Sequence, residues 1–128
     1  SNVVFFPNVP KNEALWLTAH CDVGYAGARN VEALYRYGIS FNKISDFLQS
    51  GLPIVLPLNA AGDAVSASGA GIMTGNDDPA AIAKSISRIV DMTPAERREM
   101  GLKGKRYAET MLDYGKIADD FAKAIERA

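Results

Sequence analysis

Ser40-Phe41-Asn42-Lys43-Ile44-Ser45-Asp46-Phe47-Leu48-Gln49-Ser50 passes through Gly51-Leu52-Pro53 into Ile54-Val55-Leu56-Pro57-Leu58. Phe41, Ile44, Phe47 and Leu48 share one face at helical spacing, which predicts a helix from Ser40 to Ser50. Gly51 supplies a residue able to turn left-handed at the helix end, and Pro53 bars continuation. Ile54 to Leu58 is apolar without alternation, the pattern of a strand buried on both faces, and Pro57 predicts an edge or an end of it. A helix handed by a tight turn to such a strand is the alternation from which parallel sheets are built.

The same alternation extends in both directions. Upstream, the run Val3-Val4-Phe5-Phe6 reads as a buried strand stopped by Pro7-Asn8. Ala14, Leu15, Leu17 and Thr18 predict a helix over about 11–20, and Asp22 to Ala26 a second strand. The polar stretch from Gly27 to Gly38, with Arg29, Tyr35, Arg36 and Tyr37, is too long for a tight turn and reads as functional or partly helical. Downstream, Asn59 to Gly69 has room for two helical turns, and Gly71 to Thr74 is a fourth strand. Asp78-Pro79 opens a helix whose inward face is Ile82, Ile86, Ile89 and Val90. Thr93-Pro94-Ala95-Glu96 is a capping box for a helix running to about Leu112, with a weak point at Gly101. A last helix over 116–127 turns Ile117, Phe121, Ala124 and Ile125 inward. The expected fold is α/β: a Rossmann-like, doubly wound parallel sheet of about four strands between helical layers.

Composition narrows the function classes. The chain has 128 residues, 48% of them hydrophobic, which is enough for one domain core. Fourteen Lys and Arg against 15 Asp and Glu leave a net charge of −1, so neither a nucleic-acid arm nor an acidic sponge is expected. One Cys and one His exclude a disulfide framework and a His/Cys zinc cluster. No apolar run reaches the roughly 18 residues of a membrane span. The chain opens on Ser1-Asn2, directly before the apolar run, and this predicts a piece of a longer protein.

Several motifs carry little chemistry. Gly69-Ala70-Gly71 lacks the third glycine of a dinucleotide fingerprint and precedes its strand, so it reads as a helix end turning into a strand. His20 suits a helix C-terminus and Cys21 a small core position. Arg97, Arg98, Lys103, Lys105 and Arg106 alternate with Glu96, Glu99 and Glu109, as on a solvated helix face.

The start of the 40–50 helix is different. Asn42, Lys43 and Asp46 project from the side opposite the apolar stripe, with Lys43 and Asp46 spaced to pair. A cation in the first turn opposes the helix dipole, an arrangement that suits an anion docking on the free amides. Gly38 lets backbone approach a phosphate, and Asp46 is spaced to accept from ribose hydroxyls. An ordinary surface Lys–Asp pair fits the same residues equally well.

Tyr37-Gly38-Ile39-Ser40-Phe41-Asn42-Lys43, then Asp46-Phe47-Leu48-Gln49-Ser50-Gly51-Leu52-Pro53-Ile54-Val55, resembles the signature of retaining glycosyltransferases of the GT-B fold, the large family four. Asn8-Val9-Pro10 through Asp22-Val23 is similar to the family's segment ending in Asp-Val. Gly69-Ala70-Gly71-Ile72 through Asp78-Pro79-Ala80-Ala81-Ile82-Ala83 is similar to its Gly-x-Gly and Asp-Pro-x-Ala runs. The C-terminal segment with Tyr107 and Tyr114 fits as well, so the likeness covers nearly the whole chain.

The resemblance implies that residues 1–128 are a partial nucleotide-sugar-binding domain, the C-terminal domain of a two-domain enzyme. Its first βα units and the N-terminal acceptor-binding domain would lie elsewhere. By that likeness Asp46 holds the donor ribose, while Gly38, Ile39, Ser40, Asn42 and Lys43 approach the diphosphate and sugar. Gly38 stands where the family's first paired Glu is usual. The implied reaction moves a sugar from a nucleotide diphosphate to a glycan or lipid-linked acceptor hydroxyl with retention, in bacterial surface-polysaccharide assembly. Implied too are no metal, no cofactor, no catalytic residue in this segment, and a cytoplasmic site at or near the inner membrane face. A nucleotide-sugar 2-epimerase of the same architecture is the alternative enzyme, and a receiver- or flavodoxin-like module the non-enzymatic one.

Overall fold

The computed structural model describes residues 2–29 and 31–127. Its centre is a three-stranded parallel sheet of β1 (Gly24–Tyr25), β2 (Ile54–Leu56) and β3 (Gly71–Met73), in the order β1-β2-β3. Tyr25 stands opposite Val55, and Val55 opposite Ile72. The fold is therefore an α/β architecture, a parallel sheet flanked by helices and consistent with a Rossmann-like fold.

The helices are α1 (Lys11–Ala19), α2 (Glu32–Tyr35), α3 (Asn42–Gln49), α4 (Ala64–Ser68), α5 (Pro79–Val90), α6 (Pro94–Met111) and α7 (Tyr114–Glu126). All three β2 residues are buried, and because consecutive side chains alternate, both faces of the central strand are covered. Helices α3 and α5 both pack on it, and α6 lies across α3 and α4. Gly51, at φ +68°, makes the tight link between α3 and β2. Pro57 marks the end of the central strand, where its missing N–H breaks no ladder bond. The capping box is present, with Glu96 N–H donating to Thr93 Oγ1 at 3.3 Å and Thr93 N–H to Glu96 Oε2 at 2.7 Å.

Five expectations need correction. Val3 to Phe6 joins no sheet ladder and is exposed, Phe5 at 91%. An apolar run is a strand only where a neighbouring strand offers hydrogen bonds, and the sheet has three strands instead of four. Ile117, Phe121, Ala124 and Ile125 of α7 are exposed instead of turned inward, because the stripe gains no burial from the described residues. In α5 the buried positions are Ser85 and Ile89, while Val90 is exposed at the helix end. Cys21 lies exposed, because β1 begins only at Gly24. Gly101 is no weak point: α6 is continuous there, and a Cβ would overlap the Gly51 carbonyl. The missing side chain lets α6 lie close against the turn after α3.

Candidate functional site

The short α3–β2 link turns the chain back on itself, so the first turn of α3 lies on the side where the parallel strands end. The loops leaving β1 and β2 meet on that rim. Gly38 N–H donates to the Tyr35 carbonyl at 3.0 Å, and the same carbonyl accepts from Ala61 N–H at 3.4 Å. Gly38 has φ +108°, and a Cβ on it would press on the Ala61 carbonyl at 3.3 Å. Conformation thus favours glycine here, and the tight approach adds to that preference. A cavity of about 250 Å³ opens beside this junction between Tyr35, Arg36, Asn59 and Ala60. A smaller one of about 100 Å³ lies among Ile39, Ser40, Phe41, Ser45 and Ala64. Arg36 stacks its guanidinium over the Tyr37 ring, 4.5 Å from the centroid.

Helix α3, like α1 and α2, starts without a side-chain cap. The helices α4, α5, α6 and α7 each have an Asp or Thr side chain accepting from a first-turn amide. Phe41 stands at that position in α3, with no side-chain cap. Its first-turn amides therefore lack a side-chain acceptor, and Asn42 and Lys43 lie exposed around them. Ser40 is exposed as well, whereas Ile39 is half-buried against the core. Ile44 and Leu48 anchor the opposite face.

Asp46 does not pair with Lys43. Its two carboxylate oxygens accept from Lys11 Nζ, each at 2.8 Å, across the packed α1 and α3 helices. Among the described residues Lys43 takes part in no ion pair. Gly38, Ile39, Ser40, Asn42, Lys43 and Asp46 thus share one short segment at the strand ends, with Asp46 a turn deeper. Lys11 is the residue that sequence reading missed. Nothing in a separation of 35 residues signals the pair; only the α1–α3 packing brings it together.

Chemically, this rim offers uncapped amides and an ammonium to an anion, and a carboxylate to hydroxyl donors. Among the described residues no nucleophile–base pair is seen there. His20 and Cys21 lie at the far end of α1, bonded to the Trp16 carbonyl at 2.7 Å and the Leu17 carbonyl at 3.3 Å. Among the described residues, no group of three His, Cys, Asp or Glu side chains could hold a metal ion, and no helix is long and apolar enough to cross a membrane. The cationic run on α6 is partly structural: Arg97 donates to the carbonyls of Val90 and Met92 at 2.8 and 2.7 Å and lies 3.5 Å from Asp22.

No family model matches this chain, and neither a curated protein nor a solved structure is significantly similar to it.

Proposed function

We propose that this chain is part of the C-terminal, donor-binding domain of a retaining glycosyltransferase, a doubly wound, two-domain GT-B enzyme. One observation carries the reading: the segment Tyr37 to Asp46, whose residue order resembles the donor-binding signature, opens an uncapped helix at the carboxyl ends of parallel strands. Ligands of open α/β sheets bind on that side.

In this reading the first-turn amides of α3 and the Lys43 ammonium take the diphosphate charge, and Gly38 leaves room for its oxygens. Asp46 accepts from the ribose hydroxyls. The acceptor and the groups that complete transfer belong to the other domain, and sugar moves with retention to a glycan or lipid-linked hydroxyl. The exposed apolar faces of residues 3–6 and of α7 support a role inside a larger assembly, because a monomer seldom leaves such surface open.

Titration with UDP, GDP and ADP tests the proposal. One of them is expected to bind saturably, and Asp46→Ala to weaken it by about 1.5–3 kcal/mol, the scale of hydrogen bonds to a charged group. Unchanged affinity, or no binding by any of the three, overturns the reading. Sugar transfer by these 128 residues alone would overturn the assignment to part of an enzyme.

A further inference from the structure

Two lysines compete for Asp46. Lys43 precedes it by three residues on the same face of α3, the spacing of an intrahelical ion pair. Lys11, the first residue of α1, wins: it donates to both carboxylate oxygens at 2.8 Å. Helix packing sets that geometry, because α1 lies against α3. Asp46 is 28% exposed and Lys11 67%, so the pair stands at the surface beside the candidate site.

We propose that Lys11 is a positioning residue for nucleotide binding: by occupying the Asp46 carboxylate it fixes the ribose acceptor and keeps Lys43 free for phosphate. The inference rests on the nucleotide reading of this rim. One ammonium uses two of its three hydrogens on the two oxygens, and each oxygen retains a lone pair for a hydroxyl donor. Without Lys11, Lys43 has the i,i+3 spacing to take its place. That exchange would rotate the carboxylate toward the first turn of α3 and consume the charge set against the helix dipole. A single lysine on a different helix thus holds apart two groups that would otherwise neutralise each other. The pair is exposed and contributes little to stability. Its effect is expected in binding.

The test titrates the full chain with UDP, GDP and ADP and with their 2′-deoxy counterparts, alongside thermal melting. In Lys11→Met the preference for the ribonucleotide falls about three- to fivefold, the size of one surface ion pair, and diphosphate affinity falls with it. Lys11→Arg restores the preference. In a Lys43→Met background, replacing Lys11 still lowers the ribose preference but no longer weakens the diphosphate contribution. Melting temperatures stay within a degree or so of one another, as for other surface changes. A wild-type ribose preference in Lys11→Met overturns the inference and leaves the nucleotide reading standing. Failure of all three ribonucleotides to bind the wild-type chain removes both together. If Lys11→Met folds poorly, Lys11→Gln serves the same comparison.

Discussion

Helices α3 and α7 carry similar amphipathic stripes, Phe41, Ile44, Phe47 and Leu48 in one and Ile117, Phe121, Ala124 and Ile125 in the other. In α3 the stripe is covered: Ile44 and Leu48 are buried, and Phe41 and Phe47 pack against the same core. In α7 it is open, with Phe121 68% and Ile125 61% exposed. Both helices have good local signals, and α7 is the better capped, since Asp113 accepts from Lys116 N–H at 2.9 Å. The difference lies in position. Helix α3 joins two neighbouring strands of the sheet and is trapped between β2, α1 and α6. Helix α7 follows the last strand by two helices, and among the described residues none of its own is buried. Periodicity states that a face needs cover; it does not state that the chain supplies it.

The largest effect expected from this contrast is at Leu48. Leu48→Ala leaves a cavity in the core where α3 meets α6 and is expected to cost about 2–5 kcal/mol in urea unfolding. A loss below about 1 kcal/mol would place α3 with α7 as a loosely held helix. Next is Gly101→Ala, which drives a methyl into the Gly51 carbonyl and forces α6 away from α3. About 1–3 kcal/mol of destabilisation is expected from such overpacking, read from the same unfolding curves. Thermal melting unchanged by this substitution would mean that the close approach does not constrain α6.

Smaller still is Thr93→Ala, which removes the α6 cap and is expected to cost about 1 kcal/mol by thermal melting. Acidification acts on the same cap. Hydrogen bonds from the Thr93 hydroxyl and backbone hold the Glu96 carboxyl below its ordinary value, and the Lys116 ammonium does so for Asp120. Both contributions are present above the ordinary carboxylate range and fade as pH falls through the lowered values. Lys116 is raised by its hydrogen bond to Asp120, so its contribution persists below its ordinary value and fades only as pH rises through the raised one. Between pH 7 and pH 2, melting should therefore lose the difference between wild type and Glu96→Gln. A difference that grows on acidification would contradict the sign. The smallest effect is at Phe121: Phe121→Ser is expected to change unfolding by no more than about 0.5 kcal/mol. A loss as large as that at Leu48 would mean that α7 finds cover in solution.

The legible parts of this fold are those written in local chemistry. Asp78-Pro79 and Thr93 to Glu96 mark two helix starts that the structure reproduces with the expected cap bonds. Gly51 and Pro53 mark the α3–β2 turn, and Pro57 the end of β2. What failed was inference from apolar content alone. Val3 to Phe6 has the composition of a strand without a ladder to join, and Cys21 stands before β1 begins. In the candidate site, the segment Gly38 to Asp46 was visible as a Gly-containing approach to a helix with a first-turn cation. Its ion pair was not. Spacing suggested Lys43 for Asp46, and the tertiary structure substituted Lys11.

The sequence by itself determined the alternation of helices and strands, the caps and turns, and which residues would stand together at the head of α3. Each of these depends on a few neighbouring residues, whose dihedral preferences and hydrogen bonds are local. Only the tertiary structure decided which apolar faces are covered, why Gly101 must be glycine, and which lysine holds Asp46. Those outcomes depend on elements distant in the chain arriving at one place, and no local period encodes that meeting.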